Sequence, residues 1–520
     1  MIHSVTLSLT PDEIDSKSAL ERAIRLNLHL DEGIALSWRI THRSIDARSK
    51  MPRFILKCSV AIGEPLPRPE SNMWRLTPKR LTKTVAVVGA GPAGYFAALK
   101  LLELGIRPIV LEQGKDVVRR RLDIAALLKR GVVHPDSNYG FGEGGAGAYS
   151  DGKLYTRSNK RGDVGEILRI LVAHGASDDI LVDAHPHIGS NRLPRIVRAI
   201  RNTILEHGGE VRFGTKVTDL ILRDGRIRGV VVHSAEAIPS DAVILATGHS
   251  ARETYRMLDA CGMMIEPKGF ALGVRVEHPQ PRIDSIRYHH SPRHPKLPAA
   301  TYTAKTQVAD RGVFSFCMCP GGFIVPASTA PNELVLNGMS LSSRASAFAN
   351  AGIVVEVRPE DVYAAGFGAT ALAGIDYQQA IEHACFDAGG KGLQAPAQRL
   401  TDFVECRFSN QLPETSYLPG TTSCRLDHLL PEPIAARLQQ AFRVFGKTMR
   451  GYYTQEAVVL ACESRTSSPV RIPRKADTLM HVQIENLYPC GEGAGYSGGI
   501  VSSAIDGQNV AKRVAQHLNA

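Results

Sequence analysis

The stretch Thr84–Gly114, TVAVVGAGPAGYFAALKLLELGIRPIVLEQG, decides the fold. Thr84–Val88 is a short, uncharged, β-branched run, as expected for a parallel strand that is buried on both faces. Three glycines follow with the spacing G-x-G-x-x-G, and after them come a helical pattern and a second apolar run, Arg107–Leu111. This order predicts a strand, a tight turn, a helix and a second parallel strand.

The small residues of this turn have separate roles. Gly89 permits the sharp turn, Gly91 lets the backbone approach a pyrophosphate, and Gly94 lets the helix pack closely on the sheet. Pro92 takes the first helical position, where a missing N–H costs nothing. Glu112 follows the second strand, where a carboxylate binds a ribose. Because every part is present in order, we predict a dinucleotide-binding site rather than a ligand-free glycine turn.

The composition predicts a multidomain protein of the cytoplasm. The 520 residues exceed the size of one ordinary domain and are 43% hydrophobic and 22% charged. The sequence contains no uninterrupted apolar run of about 18 residues, so we predict no membrane span. The N-terminus lacks the pattern of a secretory signal. The nine cysteines are odd in number and mostly scattered, which argues against a disulfide framework and favours a reducing compartment.

Two pairs of residues raise the question of metal or redox chemistry. Cys317 and Cys319 form the close pair C-M-C, and His185 and His187 stand two residues apart. Neither pair has a second cluster at ligand spacing nearby, so we predict no metal site. For the cysteines, a redox-active pair remains an alternative to two small buried hydrophobic residues.

The net charge of +11 raises the question of nucleic acid. The arginines are dispersed, however, and no long lysine tract or RNA-binding motif accompanies them. A cofactor and an anionic substrate would both use some of these arginines. We therefore predict a small-molecule partner and no nucleic acid.

Composition shifts divide the chain into four segments. Residues 1–75 predict a small α+β domain, in which Thr10–Glu13 has the form of a capping box, followed by the proline-rich linker Gly63–Pro69. The segment 82–265 begins with the glycine motif, 266–455 mixes strands and helices, and 456–520 returns to a glycine motif and a final helix. We predict a nucleotide domain made from the second and fourth segments, with the third inserted as a substrate domain.

Three further motifs decide which dinucleotide binds. They are FGEGGAGAYSDGKL at 141–154, VILATG at 243–248 and LYPCGEGAGYSGG at 487–499. Together they resemble motifs of the glutathione-reductase-like flavoproteins, in the branch with one dinucleotide fold and an inserted substrate domain. The resemblance implies an α/β fold, with a Rossmann-like FAD-binding domain, an inserted α+β substrate domain and a small N-terminal α+β domain.

A closer resemblance rests on longer motifs. GEGGAGAYSDGKL, HPHIGSNRLP, GVRVEHPQ, FCMCPGGFIVPA, NGMSLSSR, RTSSPVRIPR and GEGAGYSGGI resemble a family of predicted FAD-dependent dehydrogenases found in bacteria, with relatives in plastids. The resemblance runs from about residue 40, with RSIDAR at 43–48, to the C-terminus. It implies an FAD-dependent oxidoreductase acting on a small substrate, and it says little about the reaction.

The resemblance also implies how FAD is held. The first glycine turn meets the pyrophosphate, Glu112 the ribose, and the backbone at Val217 the adenine. Gly248 lies near the nucleotide, Gly491 and Glu492 meet the ribityl chain, and the last helix points its positive N-terminus at the flavin. Lys153 either reaches the flavin or is solvated. The implied cofactor-binding residues are Gly89, Ala90, Gly91, Pro92, Ala93, Gly94, Glu112, Gln113, Lys153, Val217, Gly248, Gly491, Glu492, Gly498 and Gly499.

Three residues are candidates for the catalytic side of the site. His278, preceded by Glu277, has an ordinary pKa near neutrality and suits general acid–base chemistry, unless it is a hydrogen-bonded histidine at a strand end. Arg465 suits bidentate binding of a carboxylate or phosphate, unless it belongs to a structural ion pair.

An anionic substrate is expected from four arginines. By resemblance, four of them converge on the open face of the flavin: Arg275, Arg344, Arg465 and Arg471. A buried arginine needs a partner, and Glu277 and Glu463 neutralise two of the four. We expect the remaining positive charge to bind a ligand anion.

The electron donor and two alternative functions stay open. The chain has no second strand-G-x-G-x-x-G-helix, since GFGATALAG at 366–374 lacks a preceding apolar strand and a trailing acid. We therefore expect no dedicated NADPH domain. One alternative is an RNA-modifying flavoprotein that grips RNA with residues 1–75, and the other is a flavin-bound scaffold without turnover. The substrate, the physiological acceptor and the oligomeric state do not follow from the sequence.

Overall fold

The structure is a computed structural model that describes residues 2–67, 74–156 and 161–519. Arg68 and Pro69 of the predicted linker lie outside the described residues. None of the helices in these ranges combines the length and apolarity needed to cross a membrane.

The N-terminal unit is an antiparallel sheet covered by one helix. Its elements are β1 (Ile2–Leu9), α1 (Lys17–Leu28), β2 (Leu36–Asp46) and β3 (Arg53–Ile62), with strand order β1-β3-β2. Leu20 and Ile24 of α1 pack on the sheet, as their helical spacing predicts. The predicted helix start is wrong. Glu13 does bond back to Thr10, but this closes a turn, and the helix begins after Ser16, which caps Ala19 N–H.

The next segment carries the predicted glycine motif. Its elements are β4 (Lys83–Val88), α2 (Pro92–Glu103), β5 (Ile106–Leu111), α3 (Val117–Arg130), α4 (Val164–Ala173), α5 (Leu193–Glu206), β6 (Glu210–Arg212), β7 (Val217–Arg223), β8 (Arg226–Val232), β9 (Ala237–Pro239), β10 (Ala242–Leu245) and α6 (Arg252–Ala260). The two predicted strands of the motif are confirmed to within one residue, because short apolar runs flanked by glycine leave little choice of register.

The inserted unit is built on a seven-stranded sheet. Its elements are β11 (Glu266–Pro267), β12 (Phe270–Pro279), α7 (Gln280–Tyr288), β13 (Lys305–Val308), β14 (Arg311–Cys319), β15 (Gly322–Pro326), β16 (Leu336–Ser340), β17 (Phe348–Val357), α8 (Pro359–Ala364), α9 (Ala373–Ala388), β18 (Ala395–Arg399), α10 (Leu400–Val404), β19 (Thr421–Ser423), α11 (Leu426–Leu429), α12 (Glu432–Thr448) and β20 (Val458–Glu463).

The strand order of this sheet is β13-β14-β17-β12-β20-β18-β19, and all its pairs are antiparallel except β18 with β19. Because β20 pairs with β12 and β18, the inserted sheet extends past residue 455, where we expected the unit to end. The hairpin β15–β16 lies over this sheet and contacts β14, β17 and β20.

The chain then returns to the nucleotide unit with β21 (Val470–Arg471), β22 (Leu487–Pro489) and α13 (Ile500–Leu518). β22 joins a five-stranded parallel sheet in the order β22-β10-β4-β5-β6. Helix α13 packs directly on α2, so closely that a Cβ at Gly507 would lie 2.1 Å from the Ala93 carbonyl oxygen. The carboxyl ends of the parallel strands meet at one edge, where ligands bind in open α/β sheets.

Candidate functional site: a glycine-lined edge and the cleft beside it

The first glycine turn leaves an open space at the sheet edge. Gly89 has φ +106°, and a Cβ there would lie 2.4 Å from the Ala246 carbonyl oxygen. A Cβ at Gly94 would lie 1.9 Å from the Gly89 oxygen, so α2 packs on the strand only with glycine here. Gly91 differs, since its nearest atom would be Gly145 Cα at 3.9 Å. Gly91 caps α2 without a side-chain hydrogen bond, so the first-turn N–H groups stay available to an anion.

Glu112 holds three loops together at this edge. Its Oε2 accepts the Ala90 N–H at 2.9 Å, and its Oε1 accepts the N–H groups of Gly114 and Gly142, each at 2.9 Å. A carboxylate has about four acceptor positions, so about one remains for a ribose hydroxyl. Gln113 follows it in the same turn. The ribose contact of Glu112 stays a prediction, and its loop-binding role was not expected.

Arg120 clamps the glycine-rich loop. This side chain is fully buried in α3 and donates to four backbone carbonyls, those of Asn138 (2.8 Å), Tyr139 (3.0 Å), Gly142 (3.2 Å) and Glu143 (2.7 Å). Burial lowers the pKa of Arg120 to about 10, so it remains charged at neutral pH. The loop in turn donates from Gly144 N–H to the Ala90 carbonyl at 2.8 Å. The clamp therefore fixes the loop against the first turn.

The last glycine motif lies at the same edge. The Gly491 N–H donates at 2.8 Å to Asp506 of α13, which Arg474 holds with two hydrogen bonds of 2.6 and 3.0 Å. Gly498 and Gly499, before α13, and Gly248, after β10, have no atom within 4 Å of where a Cβ would lie. These open glycines and Gly91 come from three segments and line one edge, which fits the backbone contacts that a dinucleotide needs.

A cleft lies between this edge and the inserted unit. It has an empty volume of about 520 Å³, part of it open to solvent. One wall is formed by the glycine-rich loop and the segment after β10, and the other by the hairpin β15–β16 and its flanks. The lining residues are Tyr139, Gly140, Ala146, Tyr149, Ser150, His249, Ser250, Val325, Ala327, Val335, Leu336, Asn337, Gly338 and Arg465.

Glu277 and His278 lie inside the inserted sheet and do not line this cleft. Glu277 accepts hydrogen bonds from the Thr415 hydroxyl and the Ser416 N–H, both at 2.7 Å, and burial raises its pKa. His278 donates from Nε2 to the Tyr452 carbonyl at 2.8 Å, and burial lowers its pKa to about 4. Because β12 is covered on both faces, neither side chain has the access to a substrate that the predicted catalytic role needs.

Arg465 does line the cleft, but two carboxylates already neutralise it. It lies 2.7 Å from Glu333 and 2.8 Å from Glu382, and Arg252 joins the same group at 2.8 Å from Glu382. Burial would raise the pKa of Glu382, but the two arginines hold it well below its usual range. We call these four side chains the buried ion quartet. In this setting Arg465 has the partners of a structural ion pair.

The other predicted anion-binding arginines are also engaged. Arg275 Nε lies 3.4 Å from Glu463 Oε2, and Arg275 donates to the Cys317 carbonyl at 2.8 Å. Arg344 binds Asp151 at 2.7 Å. Arg471 is exposed, with its guanidinium 5.6 Å from the centre of the Tyr496 ring. Glu463 is thus near Arg275 as expected, whereas Arg344 and Arg465 have carboxylate partners that we did not expect, Asp151, Glu333 and Glu382.

Lys153 lies where the glycine-rich loop meets the inserted unit. Its Nζ is 3.3 Å from Asp151 Oδ2 and 3.7 Å from Cys319 Sγ, and its side chain is 38% exposed. Asp151 thus faces two cations, Lys153 and Arg344. Although burial would raise the pKa of Asp151, these cations hold it well below its usual range. We call Asp151, Lys153 and Arg344 the Lys153 cluster, and it carries a net charge of about +1.

The cysteine pair adjoins this cluster. Cys317 is exposed and Cys319 is buried, with Cys319 Sγ 3.2 Å from the Cys317 carbonyl oxygen. Desolvation raises the pKa of the buried Cys319 thiol, so this thiol is protonated at neutral pH. A protonated thiol is a weak nucleophile. The backbone of His187 pairs with that of Lys153 in an isolated antiparallel β-bridge. The described residues contain no group of three or more potential metal ligands.

Val217 begins β7 beside the Glu112 turn, where the Thr215 N–H donates to the Glu112 carbonyl at 2.8 Å. Its predicted backbone contact with adenine remains a prediction. Two side chains of the site were not expected from the sequence, Arg120 and His249. The only sequence signal for His249 is its place directly after the VILATG segment.

Three family models match parts of this chain. Residues 186–324 match the family model of FAD-dependent oxidoreductases, and residues 269–466 match that of the C-terminal domain of FAD-dependent proteins. Residues 1–61 match a domain of unknown function. A solved geranylgeranyl bacteriochlorophyll reductase-like protein from Thermoplasma acidophilum is 13% identical, with a TM-score of 0.35 over 85% of this chain and 80% of that one.

Two curated relatives match by sequence. A thiamine thiazole synthase of Aeropyrum pernix is 26% identical over 35% of this chain and 60% of its own length. A protein of Clostridium beijerinckii, described as uncharacterised, is 37% identical over 100% of this chain and 99% of its own length. With this full-length relative and both FAD-dependent family models, the chain belongs to a family of FAD-dependent oxidoreductases, and FAD is its cofactor.

Proposed function

We propose that the protein transfers a hydride or electrons between a small anionic substrate and FAD in the cleft beside the hairpin β15–β16. One observation carries this proposal: the cleft is lined jointly by the glycine-rich loop, the segment after β10 and the inserted unit. Bound FAD supplies the redox chemistry. The chain's own residues bind the two reactants, hold them in orientation and exclude water.

The open glycines support the cofactor contacts that we propose for this chain. The N–H groups at the start of α2, after Gly91, receive the pyrophosphate, because this helix end has no side-chain cap. Helix α13 also begins without a side-chain cap, after Gly499. Its partial positive charge supports negative charge on a flavin nearby. Glu112 contributes its remaining acceptor position to the ribose.

The walls of the cleft fit a flat ring and a small polar substrate. Val325, Val335 and Leu336 supply an apolar surface on the inserted side. Tyr139 and Asn337 add polar groups along the same cleft. A mostly apolar pocket with a few placed polar groups is the usual form of a small-molecule site.

The Lys153 cluster is the support for an anionic substrate. Ser150 lines the cleft, and the next residue, Asp151, belongs to the cluster. Asp151 also accepts a hydrogen bond from Ser340, which lies in β16 two residues after the cleft residue Gly338. The half-buried Lys153 side chain shares its carboxylate with Arg344, so the cluster has positive charge left for a ligand. We therefore place the anionic group of the substrate at this end of the cleft.

The test is a spectral titration of the purified protein. We expect a yellow protein with flavin absorbance near roughly 370 and 450 nm. Acetate, benzoate and inorganic phosphate should perturb this spectrum in the wild type and in the control Lys305→Met, whose lysine is exposed far from the cluster in sequence. The perturbation should be lost in Lys153→Met. A colourless protein that FAD cannot reconstitute would refute the function, and equal titrations in all three proteins would refute the anion site.

A further inference from the structure

His249 and Glu492 form a hydrogen-bonded pair at the cleft. His249 Nδ1 lies 2.9 Å from Glu492 Oε2. The two residues follow β10 and β22, which are neighbours in the parallel sheet with Leu245 opposite Pro489. The pair is therefore fixed by the backbone of two adjacent strands. The other carboxylate oxygen of Glu492 accepts a hydrogen bond from the Gly499 N–H, which fixes the carboxylate from its second side.

This contact decides which nitrogen of the ring carries the proton. A carboxylate oxygen only accepts hydrogen bonds, so Nδ1 donates, and neutral His249 keeps its lone pair on Nε2. Among the described residues Nε2 has no hydrogen-bond partner, and it is not one of the polar atoms sealed in the interior. His249 lines the cleft, and its side chain is 16% exposed. The lone pair is therefore accessible from the cleft.

We propose that His249 is a catalytic acid–base residue of this cleft and that Glu492 positions it. The proposal rests on the proposed function, because it needs a substrate beside the flavin. When the substrate loses a hydride to FAD and a proton, Nε2 accepts the proton. In the opposite direction Nε2 would return a proton to the substrate as the reduced cofactor gives up its hydride. The open side of the cleft exchanges this proton with water.

The other titratable groups that face His249 are not placed to act as the acid or base in this cleft. Tyr139 and Tyr149 line the same cleft, and burial raises the pKa of both phenols, so they are neutral at neutral pH. Arg465 lines the opposite wall, and Arg252 begins the following helix, but both are neutralised within the buried ion quartet. Burial would raise the pKa of Glu492, but its hydrogen bonds keep it below its usual value. Glu492 is thus the charged group that orients the ring.

The first experiment measures the ring directly, by ¹⁵N NMR of histidine-labelled protein with and without FAD. The signal of His249 is identified by its loss in His249→Gln. We expect the wild type to carry its neutral-state proton on Nδ1. In Glu492→Gln we expect the neutral-state proton to be shared between Nδ1 and Nε2, because the carboxylate acceptor of the Nδ1–H is gone. Glu360→Gln, an exposed substitution, should leave it unchanged. A proton on Nε2, or no change in Glu492→Gln, overturns the proposal.

The second experiment tests whether the ring lies beside the flavin. The midpoint potential of bound FAD is measured against pH, from about 5 to 9, in the wild type, His249→Gln and the control His290→Gln. We expect the wild type and the control to give the same curve and His249→Gln to give a different one. Superimposable curves in all three overturn the proposal while leaving the proposed function intact. A wild type that binds no FAD overturns the proposed function, and the NMR measurement on the apoprotein then decides the geometry of the pair.

Discussion

Glu112 Oε2 accepts a 2.9 Å hydrogen bond from the Ala90 N–H, which ties the end of β5 to the first glycine turn. The same carboxylate serves the N–H groups of Gly114 and Gly142. Glu112→Ala leaves three buried donors without a partner, at about 1–3 kcal/mol each. We expect a large loss of stability and of bound FAD, with a smaller loss in Glu112→Gln. Urea unfolding and flavin content measure both, and exposed Glu206→Ala should resemble the wild type.

The glycines of the first turn are expected to respond differently to substitution. At Gly91 a Cβ would meet Gly145 Cα at 3.9 Å and nothing closer, so Gly91→Val should fold with nearly the stability of the wild-type apoprotein but bind no FAD. At Gly89 a Cβ meets the Ala246 carbonyl oxygen at 2.4 Å, and φ is positive. Gly89→Val should therefore destabilise the fold itself. Thermal unfolding of both apoproteins distinguishes the two effects. If Gly91→Val retains FAD, the pyrophosphate is not held at this turn.

The buried ion quartet is expected to matter for folding more than for ligand binding. In Glu382→Gln, Arg252 and Arg465 face Glu333 alone, and breaking a buried ion pair costs about 3–5 kcal/mol. We expect that loss in urea unfolding of the FAD-free protein. Asp376→Asn, exposed on the same helix, should cost less than about 1 kcal/mol. A Glu382→Gln variant as stable as the wild type would contradict the structural role of Arg465.

Glu463 is expected to make stability depend on pH. Burial raises its pKa to about 7, despite the lowering effect of Arg275. In the unfolded state a glutamate has a pKa of about 4.3. Between that pH and about pH 7, the folded state keeps the proton on the Glu463 carboxyl, whereas the unfolded state releases it. Stability therefore falls as pH rises through this range, by up to about 4 kcal/mol in total.

Glu463→Gln should lose this part of the pH dependence, so its advantage over the wild type should be absent near pH 4 and greatest above pH 7. Denaturant unfolding across this range gives the comparison, with Glu360→Gln as the exposed control. Parallel curves for the wild type and Glu463→Gln would show that the carboxyl titrates normally in the fold.

NADPH is expected to reduce the bound flavin slowly. In the described part of the chain one five-stranded sheet is parallel throughout, and the segment 366–374 follows a helix rather than a strand. A nicotinamide would thus have to enter the substrate cleft. Stopped-flow reduction by NADPH measures this. Rapid, saturating reduction at micromolar NADPH would contradict the expectation.

The nucleotide unit was largely predictable because its signals are local. The apolar runs of β4 and β5 and the spacing of their glycines determine the strand, turn and helix within a few residues of sequence. The start of the N-terminal helix was less predictable. Thr10 and Glu13 have the residue types of a capping box, yet the same bond also closes a turn, and Ser16 offers a competing cap.

The polar side of the site was much less predictable, because its partners are distant in sequence. Arg120 binds backbone carbonyls, which every residue type has. The sequence therefore gives no indication of which segment Arg120 contacts. His278 follows the pattern of an acid–base residue, but only the complete sheet shows that β12 is covered on both faces. The role proposed for His249 depends on Glu492, which follows a separate strand and whose Oε2 lies 2.9 Å from His249 Nδ1.

The contact of Gly507 with Ala93 has a consequence for how the cofactor is loaded. Helix α2 is made early in synthesis, whereas α13 and the edge strand β22 follow the whole inserted sheet. Domains generally fold as units while the ribosome extends the chain. The inserted sheet is therefore complete before the nucleotide sheet acquires its last strand. FAD can meet a finished site only after β22 and helix α13 have been made, so cofactor loading follows the synthesis of the inserted sheet.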